Sequence, residues 1–188
     1  MSSTGEGRPG RYPRSVGGLF VALVVTVVGV LALLAVLGLF RNDLEVEPDR
    51  VDYLGTVEGA QDARLEPVYP AELPEGWIAT GAEVPPGEDP AFEVRLLTDE
   101  ERFVGIHQEA DTSAGDLLAE LVDEDTTDVE GYRSSQSVAG DWEGFTDDSG
   151  DTAYVAELGK QTVIVWGSAP AEDLQRVIDL LTQAPLGG

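Results

Sequence analysis

Hydrophobic residues are concentrated in one uninterrupted segment near the N-terminus. Residues 16–40, from Val16 to Phe40, form a run of 25 residues without a charged side chain. As a helix this run rises roughly 37 Å, at about 1.5 Å per residue, and the hydrocarbon core of a bilayer is about 30 Å thick. The pattern therefore predicts one transmembrane helix over residues 16–40.

From residue 77 onward the hydrophobic positions come in short runs bounded by turn residues, which is typical of strands. The dipeptide Gly159-Lys160 and the loop at residues 147–151 are typical of tight hairpin turns, so we expect mainly antiparallel pairing. The predicted strands cover residues 77–84, 91–97, 102–108, 132–138, 142–146, 152–158 and 161–167.

Two segments instead repeat their apolar residues every three or four positions, which is typical of amphipathic helices. The first follows a capping box formed by Ser113 and Asp116. The second follows Ser168 as a candidate cap and has acidic residues in its first turn, where the helix dipole favours them. The apolar stripes are Ala114, Leu117, Leu118 and Leu121 in the first helix, and Leu174, Val177, Ile178 and Leu181 in the second.

These elements predict an α+β protein: an N-terminal transmembrane helix followed by one mainly antiparallel sheet domain with two packed helices. The sheet domain is long enough to bury a core without disulfides, and the chain has no cysteine to form them. The predicted organisation is a cytoplasmic tail at residues 1–15, the transmembrane helix at 16–40, an acidic juxtamembrane linker at 41–66 and an exported α+β domain at 67–188.

Three arginines precede the apolar segment, Arg8, Arg11 and Arg14, against a single acidic residue, Glu6. The positive-inside rule therefore places the N-terminus in the cytoplasm and the C-terminal domain outside the cell membrane. A cleaved signal peptide is the alternative, but its apolar region is usually about 7 to 15 residues long and ends in an Ala-x-Ala-like site. The sequence favours an uncleaved, single-pass anchor.

The net charge of the chain indicates which classes of partner it can bind. The chain carries a formal charge of −25, and residues 41–188 alone contain 8 basic and 35 acidic residues. Such a domain repels phosphate backbones, so we expect no nucleic-acid partner. The expected partners are the lipid bilayer, through the N-terminal helix, and a protein of the cell envelope. Almost all basic residues are arginine, as in GC-rich bacterial genomes.

Small residues recur every fourth position in the apolar segment, at Gly18, Ala22 and Thr26. Such a stripe lets two membrane helices approach closely, which is compatible with a helix-mediated homodimer. Ordinary small residues in a Gly- and Ala-rich span explain the same spacing. The dimer is therefore the weaker of the two interpretations.

Candidate catalytic chemistry is sparse. His107 is the only histidine, and no Gly-x-Ser-x-Gly elbow presents a nucleophile, so the histidine is interpreted as a packed or surface residue. The acidic loop at residues 147–151 lacks the Gly and Glu positions of an EF-hand and is interpreted as a turn. We predict no catalytic residue, metal site or cofactor, and the three tryptophans fit a sheet core better than a ligand platform.

Several short motifs, in their order along the chain, resemble the actinobacterial domain of unknown function 4245 family. The resemblance spans most of residues 15–184 and implies a single-pass membrane protein with an exported α+β domain and no assigned activity. It supplies no catalytic residue to carry over. The motifs are Val51-Asp52-Tyr53, Pro70-x-x-Leu73-Pro74-x-Gly76-Trp77, Val104-Gly105-Ile106, Gly140-x-Trp142-Glu143 and Thr162-Val163-Ile164-Val165.

The functional prediction is a membrane-anchored, extracytoplasmic binding or interaction module of the bacterial cell envelope, and not an enzyme. Two alternatives stay open. One is an envelope hydrolase that uses a carboxylate pair, which a deep cleft holding two acids would support. The other is an assembly subunit of a membrane complex.

Overall fold

The structure is a computed structural model of the chain. It describes Leu23, residues 26–30, Leu33, residues 49–87 and residues 89–186. The chain divides into two compact units, Met1–Glu47 and Pro48–Gly188.

The described residues of the first unit, Leu23, 26–30 and Leu33, are helical and exposed. In the part of the chain that the structure describes, no helix is both long and apolar enough to cross a membrane. Most residues that carry the topology and dimer predictions lie outside the described residues, so these predictions stay predictions. They are Arg8, Arg11, Arg14, Val16, Gly18, Ala22 and Phe40.

The second unit is built on one antiparallel sheet of seven strands, in the order β2-β3-β4-β8-β7-β6-β5, and a separate pair, β1 and β9. Every neighbouring pair runs antiparallel. The expected α+β class with a mainly antiparallel sheet is confirmed. The strands are β1 (Tyr69–Pro70), β2 (Ile78–Glu83), β3 (Ala91–Leu97), β4 (Phe103–Ala110), β5 (Thr127–Arg133), β6 (Asp141–Thr146), β7 (Thr152–Leu158), β8 (Gln161–Gly167) and β9 (Leu181–Thr182).

Three helices of this unit cover the two faces of the sheet: α1 (Tyr53–Asp62), α2 (Ala114–Leu121) and α3 (Ala171–Leu180). Alternate residues of a strand point to opposite faces, and strand β8 contributes to two hydrophobic clusters in this way. Val163 and Val165 pack in the larger cluster together with residues of α1 and α3. Ile164 and Trp166 pack in the smaller cluster with α2. The sheet is therefore covered on both faces.

Helix α1 lies inside the segment 41–66 that the sequence analysis interprets as a linker. Its side chains Tyr53, Val57 and Ala60 are buried in the larger cluster. The Tyr53 hydroxyl donates a hydrogen bond of 2.9 Å to the carbonyl oxygen of Pro70. The compact unit therefore begins at Pro48. Three apolar side chains spaced by four and three residues suffice to dock this short helix, although the segment is polar on average.

Strand β5 covers Thr127–Arg133, whereas the sequence predicts a strand at residues 132–138. Every residue of β5 except Tyr132 is exposed, so the strand lacks the alternation of apolar and polar residues that identifies a half-buried strand. The chain turns directly after it, where the Ser134 hydroxyl accepts hydrogen bonds from the backbone N–H groups of Gln136 and Ser137.

Of the two predicted helix caps, one is present in the structure and the other is not. The Ser113 hydroxyl accepts a hydrogen bond of 3.2 Å from the Asp116 backbone N–H and caps α2 as expected. Helix α3 is instead preceded by Pro170, which provides no side-chain cap. The Ser168 hydroxyl accepts a hydrogen bond from the Phe103 backbone N–H, and so ties the end of β8 to β4. The prediction that Ser168 caps the final helix is therefore wrong.

Candidate functional site

A cluster of charged side chains surrounds His107 on the sheet face that carries α2. In the ladder of β3 and β4, Glu93 is the direct partner of His107, and Glu109 follows two residues later on the same face of β4. The His107 Nδ1 atom lies 3.4 Å from Glu93 Oε2, and its Nε2 atom lies 3.2 Å from Glu109 Oε2. The imidazole therefore sits between two carboxylates.

A guanidinium extends this cluster to the edge of the sheet. The Arg95 Nη1 atom donates hydrogen bonds of 2.8 Å to Glu93 and 2.7 Å to Glu83, which lies on β2. The Arg95 side chain lies over Gly81, where an added Cβ atom would come within 2.6 Å of the guanidinium. The network joins three neighbouring strands.

The arrangement shifts the pKa values of two groups in opposite directions. Burial lowers the pKa of His107, but the hydrogen bonds and the charges of Glu93 and Glu109 outweigh it, so the pKa lies above its ordinary value of 6.5. The hydrogen bond from His107 and the charges of Arg95 and His107 lower the pKa of Glu93 below its ordinary value of 4.5, against a smaller opposing effect of burial. The charged imidazolium of His107 and the carboxylate of Glu93 therefore stabilise each other's charged form.

The His107 cluster has the properties of a structural ion-pair network. The His107 side chain is only 8% exposed, so a substrate has little access to it. Of the two alternatives left open for His107, a packed or a surface residue, this burial identifies the packed one. Within the described ranges, no group of three or more acidic or histidine side chains is placed to hold a metal ion.

A groove of about 590 Å³ lies between edge strand β5 and helix α3. Its lining combines two tyrosine rings, two threonine hydroxyls and one amide with a single carboxylate, that of Glu130. We call it the tyrosine groove. The lining residues are Val129, Glu130, Gly131, Tyr132, Thr146, Thr152, Tyr154, Ala171 and Gln175.

Helix α3 fixes the two tyrosines of this groove. Their rings are edge to face, with centroids 6.3 Å apart. The Tyr132 hydroxyl donates a hydrogen bond of 2.8 Å to Asp179, which raises the pKa of Tyr132. The Gln175 amide donates a hydrogen bond of 2.7 Å to the Tyr154 hydroxyl, and the Ser134 hydroxyl donates a second bond to Asp179. The walls are therefore held in place before any ligand arrives.

A β-bulge shapes the outer wall of the groove. The ladder between β5 and β6 shifts its register between Val129 and Tyr132. A Cβ atom added at Gly131 would lie 2.5 Å from the carbonyl oxygen of Trp142, and one added at Gly144 would lie 2.5 Å from that of Glu130. The two backbones approach so closely that only glycine fits at these positions, and the groove has no side chain there.

The acidic loop at residues 147–151 folds onto one of its own side chains. The Asp147 Oδ1 atom accepts hydrogen bonds from the backbone N–H groups of Ser149, Gly150 and Asp151, at 2.8 to 2.9 Å. The hydrogen bond from the Ser149 hydroxyl, helped by these N–H groups, lowers the pKa of Asp147. The interpretation of this loop as a turn is confirmed.

The three tryptophans are buried, with exposed fractions of 5% for Trp77, 2% for Trp142 and 8% for Trp166. Their interpretation as core residues is confirmed. Trp166 lies against Gly105, where an added Cβ atom would come within 2.5 Å of the indole ring.

A second groove, of about 550 Å³, lies near the C-terminal end of α1 and contains Arg64, Glu66 and Gln183. Like the tyrosine groove, it is lined by a single carboxylate, here Glu66. A glycosidase-like mechanism needs two carboxyl groups on either side of the scissile bond. Neither of these two grooves contains such a pair, whereas a third depression, of about 400 Å³, is lined by both Asp128 and Glu143.

The fold and the grooves define a class: an α+β domain with one antiparallel sheet and a tyrosine-lined groove between its edge strand and a helix. Within this class, the chain belongs to the family of proteins of unknown function DUF4245, whose sequence profile matches residues 11–181. The match confirms the family resemblance and includes the apolar segment 16–40. The comparison with curated proteins found no match.

The sequence predicted neither the charged partners of His107 nor the tyrosine groove. The contact between His107 and Glu109 could have been predicted from the sequence. The two residues are two positions apart in a predicted strand or its extension, and so share a face. The contact with Glu93 depends on the register of β3 and β4, and the contact between Tyr132 and Asp179 joins residues 47 positions apart.

Proposed function

We propose that this chain is a single-pass membrane protein whose exported domain is a non-catalytic binding module of the bacterial cell envelope. The uncharged segment 16–40 and the helical, exposed residues described within it support the anchor. The arginines before that segment support a cytoplasmic N-terminus. The resemblance to an actinobacterial family of membrane proteins supports the same location.

The tyrosine groove is the observation that carries the binding function. Its volume of about 590 Å³ lies within the range of about 300 to 1,000 Å³ that is usual for ligand sites. Tyrosine rings offer a large, rigid contact area, and hydroxyl and amide groups at their side fix the orientation of a partner. This lining suits recognition of a partner.

The same groove argues against catalysis by paired carboxylates. Glu130 is the single acid in its lining, and His107, the one histidine of the chain, is buried elsewhere. A general acid or base has to come within hydrogen-bond reach of the substrate. At the tyrosine groove, these placements support a binding role over hydrolysis.

Membrane topology can be tested directly because the chain has no cysteine of its own. We expect a Ser135→Cys variant, at an exposed position of the domain, to react with a membrane-impermeant maleimide on intact cells. A Ser3→Cys variant should react only after lysis. Labelling of Ser3→Cys on intact cells, or protection of Ser135→Cys until lysis, would contradict the proposed orientation.

The binding role can be tested by placing a photo-crosslinking amino acid, benzoylphenylalanine, in the groove. Val129 lies on the groove wall and is 41% exposed, and Val84 is a matched control that is 45% exposed outside this groove. In intact cells we expect a discrete crosslinked product from position 129 and none from position 84. The proposal fails if position 129 gives no product, or the same products as position 84.

A further inference from the structure

The two edges of the seven-stranded sheet differ in how well they are covered. At one edge, the Val51 backbone N–H donates a hydrogen bond of 2.9 Å to the carbonyl oxygen of Ala79 on β2, and α1 packs beside this strand. At the other edge, within the described part of the chain, β5 has β6 as its one neighbour in the sheet. Strand β5 is therefore an open edge whose outward backbone groups are available to an added strand.

Two concave surfaces flank this open edge. The tyrosine groove lies between β5 and α3, and a second depression of about 400 Å³ is formed by β5 and β6, with Asp128, Glu143 and Phe145 in its lining. Successive side chains of a strand point in opposite directions. A strand added beside β5 therefore has room for side chains on both of its faces, as in other peptide sites formed beside an edge strand.

The charge of this edge favours a basic occupant. Asp128, Glu130 and the neighbouring Glu143 are exposed, whereas the guanidinium of Arg133 is bonded to Asp141 at 2.6 Å. A second copy of the chain is a poor occupant, because Asp128 is the midpoint of the regularly paired segment Thr127–Val129 and would face itself in an antiparallel pair. The acidic segment before the domain is disfavoured for the same reason.

We infer that β5 binds an extended, basic segment of a partner protein as an eighth strand, with alternate side chains entering the tyrosine groove. This inference rests on the proposed binding function and names the chemistry of its partner. The bulge after Val129 limits regular pairing to Thr127–Val129, and the charges prevent self-association. The bulge disfavours pairing with a long, flat strand, and the negative charges disfavour pairing with an acidic one. The site stays open to a short basic strand.

The test uses the full-length chain in nanodiscs of a zwitterionic lipid, to limit adsorption of the probe to the membrane. The probe is a capped heptapeptide of alternating lysine and valine. Because main-chain hydrogen bonds supply most of the affinity in strand addition, this generic sequence suffices. We expect the peptide to slow hydrogen exchange of those amides within Thr127–Val129 that point away from β6, with no comparable effect on β2.

Two control peptides separate strand addition from simple charge attraction. An analogue with N-methylated backbone amides keeps the charge but cannot complete the hydrogen-bond ladder, and we expect it to give no protection. A glutamate-valine peptide should not bind, because like charges oppose each other. Absence of protection by the lysine-valine peptide, or equal protection by the N-methylated analogue, would overturn the inference.

A matched pair of charge-reversal variants locates the site. Glu130→Lys places a positive charge on the proposed edge, and Glu157→Lys makes the same change at an exposed position of β7. We expect the first to weaken peptide binding by at least about tenfold and the second to change it far less. If both variants weakened peptide binding equally, the peptide would be attracted by the overall charge of the domain, and the proposed site would be overturned.

The outcomes of this test and of the crosslinking test are distinguishable. If position 129 crosslinks to a partner but the peptide gives no protection of β5, the binding module stands and strand addition is rejected. If position 129 gives no crosslinked product, the proposed function itself fails.

Discussion

Replacement of His107 by glutamine should destabilise the domain in a pH-dependent way. In the imidazolium form, His107 donates to both Glu93 and Glu109. A glutamine side chain is neutral, and its amide donors do not match this two-sided geometry. The variant therefore loses a charge and at least one hydrogen bond between charged groups.

The expected loss can be estimated from the environment of each partner. A hydrogen bond to a charged group contributes about 1.5 to 3 kcal/mol. Glu93 keeps its bond to Arg95, and Glu109, whose side chain is 27% exposed, can be rehydrated, so both limit the loss. We expect the free energy of unfolding to fall by about 2 kcal/mol at about pH 5.5.

The direction of the pH dependence follows from the two pKa shifts. The His107 pKa is raised, so its contribution is fully present below 6.5 and disappears as the pH rises through its folded-state value. The Glu93 pKa is lowered, so its contribution is present above 4.5 and disappears as the pH falls through its folded-state value. The difference between wild type and His107→Gln should be widest between pH 4.5 and 6.5.

The assay is urea unfolding of the full-length chain in a non-ionic detergent, followed by tryptophan fluorescence at about pH 5.5 and about pH 9. All three tryptophans are buried in the domain, so the signal reports its unfolding. The control is Arg133→Gln, which removes an ion pair that is almost fully exposed and should show no such pH dependence. If His107→Gln lowered the free energy of unfolding equally at both pH values, the ion-pair reasoning would be refuted. The loss would then come from packing alone.

Three further predictions concern packing, capping and cation binding. Gly105→Ala places a Cβ atom 2.5 Å from the Trp166 ring, so it should lower the free energy of unfolding by about 1 to 3 kcal/mol and shift tryptophan fluorescence; unchanged stability would contradict this contact. Ser113→Ala should lower it by about 1 kcal/mol through loss of the α2 cap, whereas Ser135→Ala, on an exposed turn, should have no effect; equal effects would reject the cap. Calcium at fixed ionic strength should leave the thermal midpoint unchanged, because the Asp147 carboxylate is already occupied by its own loop; a rise of several degrees would show a cation site.

The sequence by itself determined the elements whose signals are local. The strands Ala91–Leu97, Thr152–Leu158 and Gln161–Gly167 begin and end where predicted, because apolar runs and turn residues mark both of their ends. The cap of α2 was readable because Ser113 and Asp116 are three residues apart. Antiparallel pairing followed from the hairpin turns. Each of these features depends on residues that are close in the chain.

Only the tertiary structure decided the edge strand β5, the docking of α1, the His107 network and the tyrosine groove. Every residue of strand β5 except Tyr132 is exposed, so hydrophobic periodicity does not mark it. Helix α1 is helical where the composition suggested a linker, because three buried side chains find a place in the core. His107 meets Glu93, and Tyr132 meets Asp179, through strand register and helix packing. These contacts join residues far apart in sequence, and their energies depend on burial, which a local pattern does not specify.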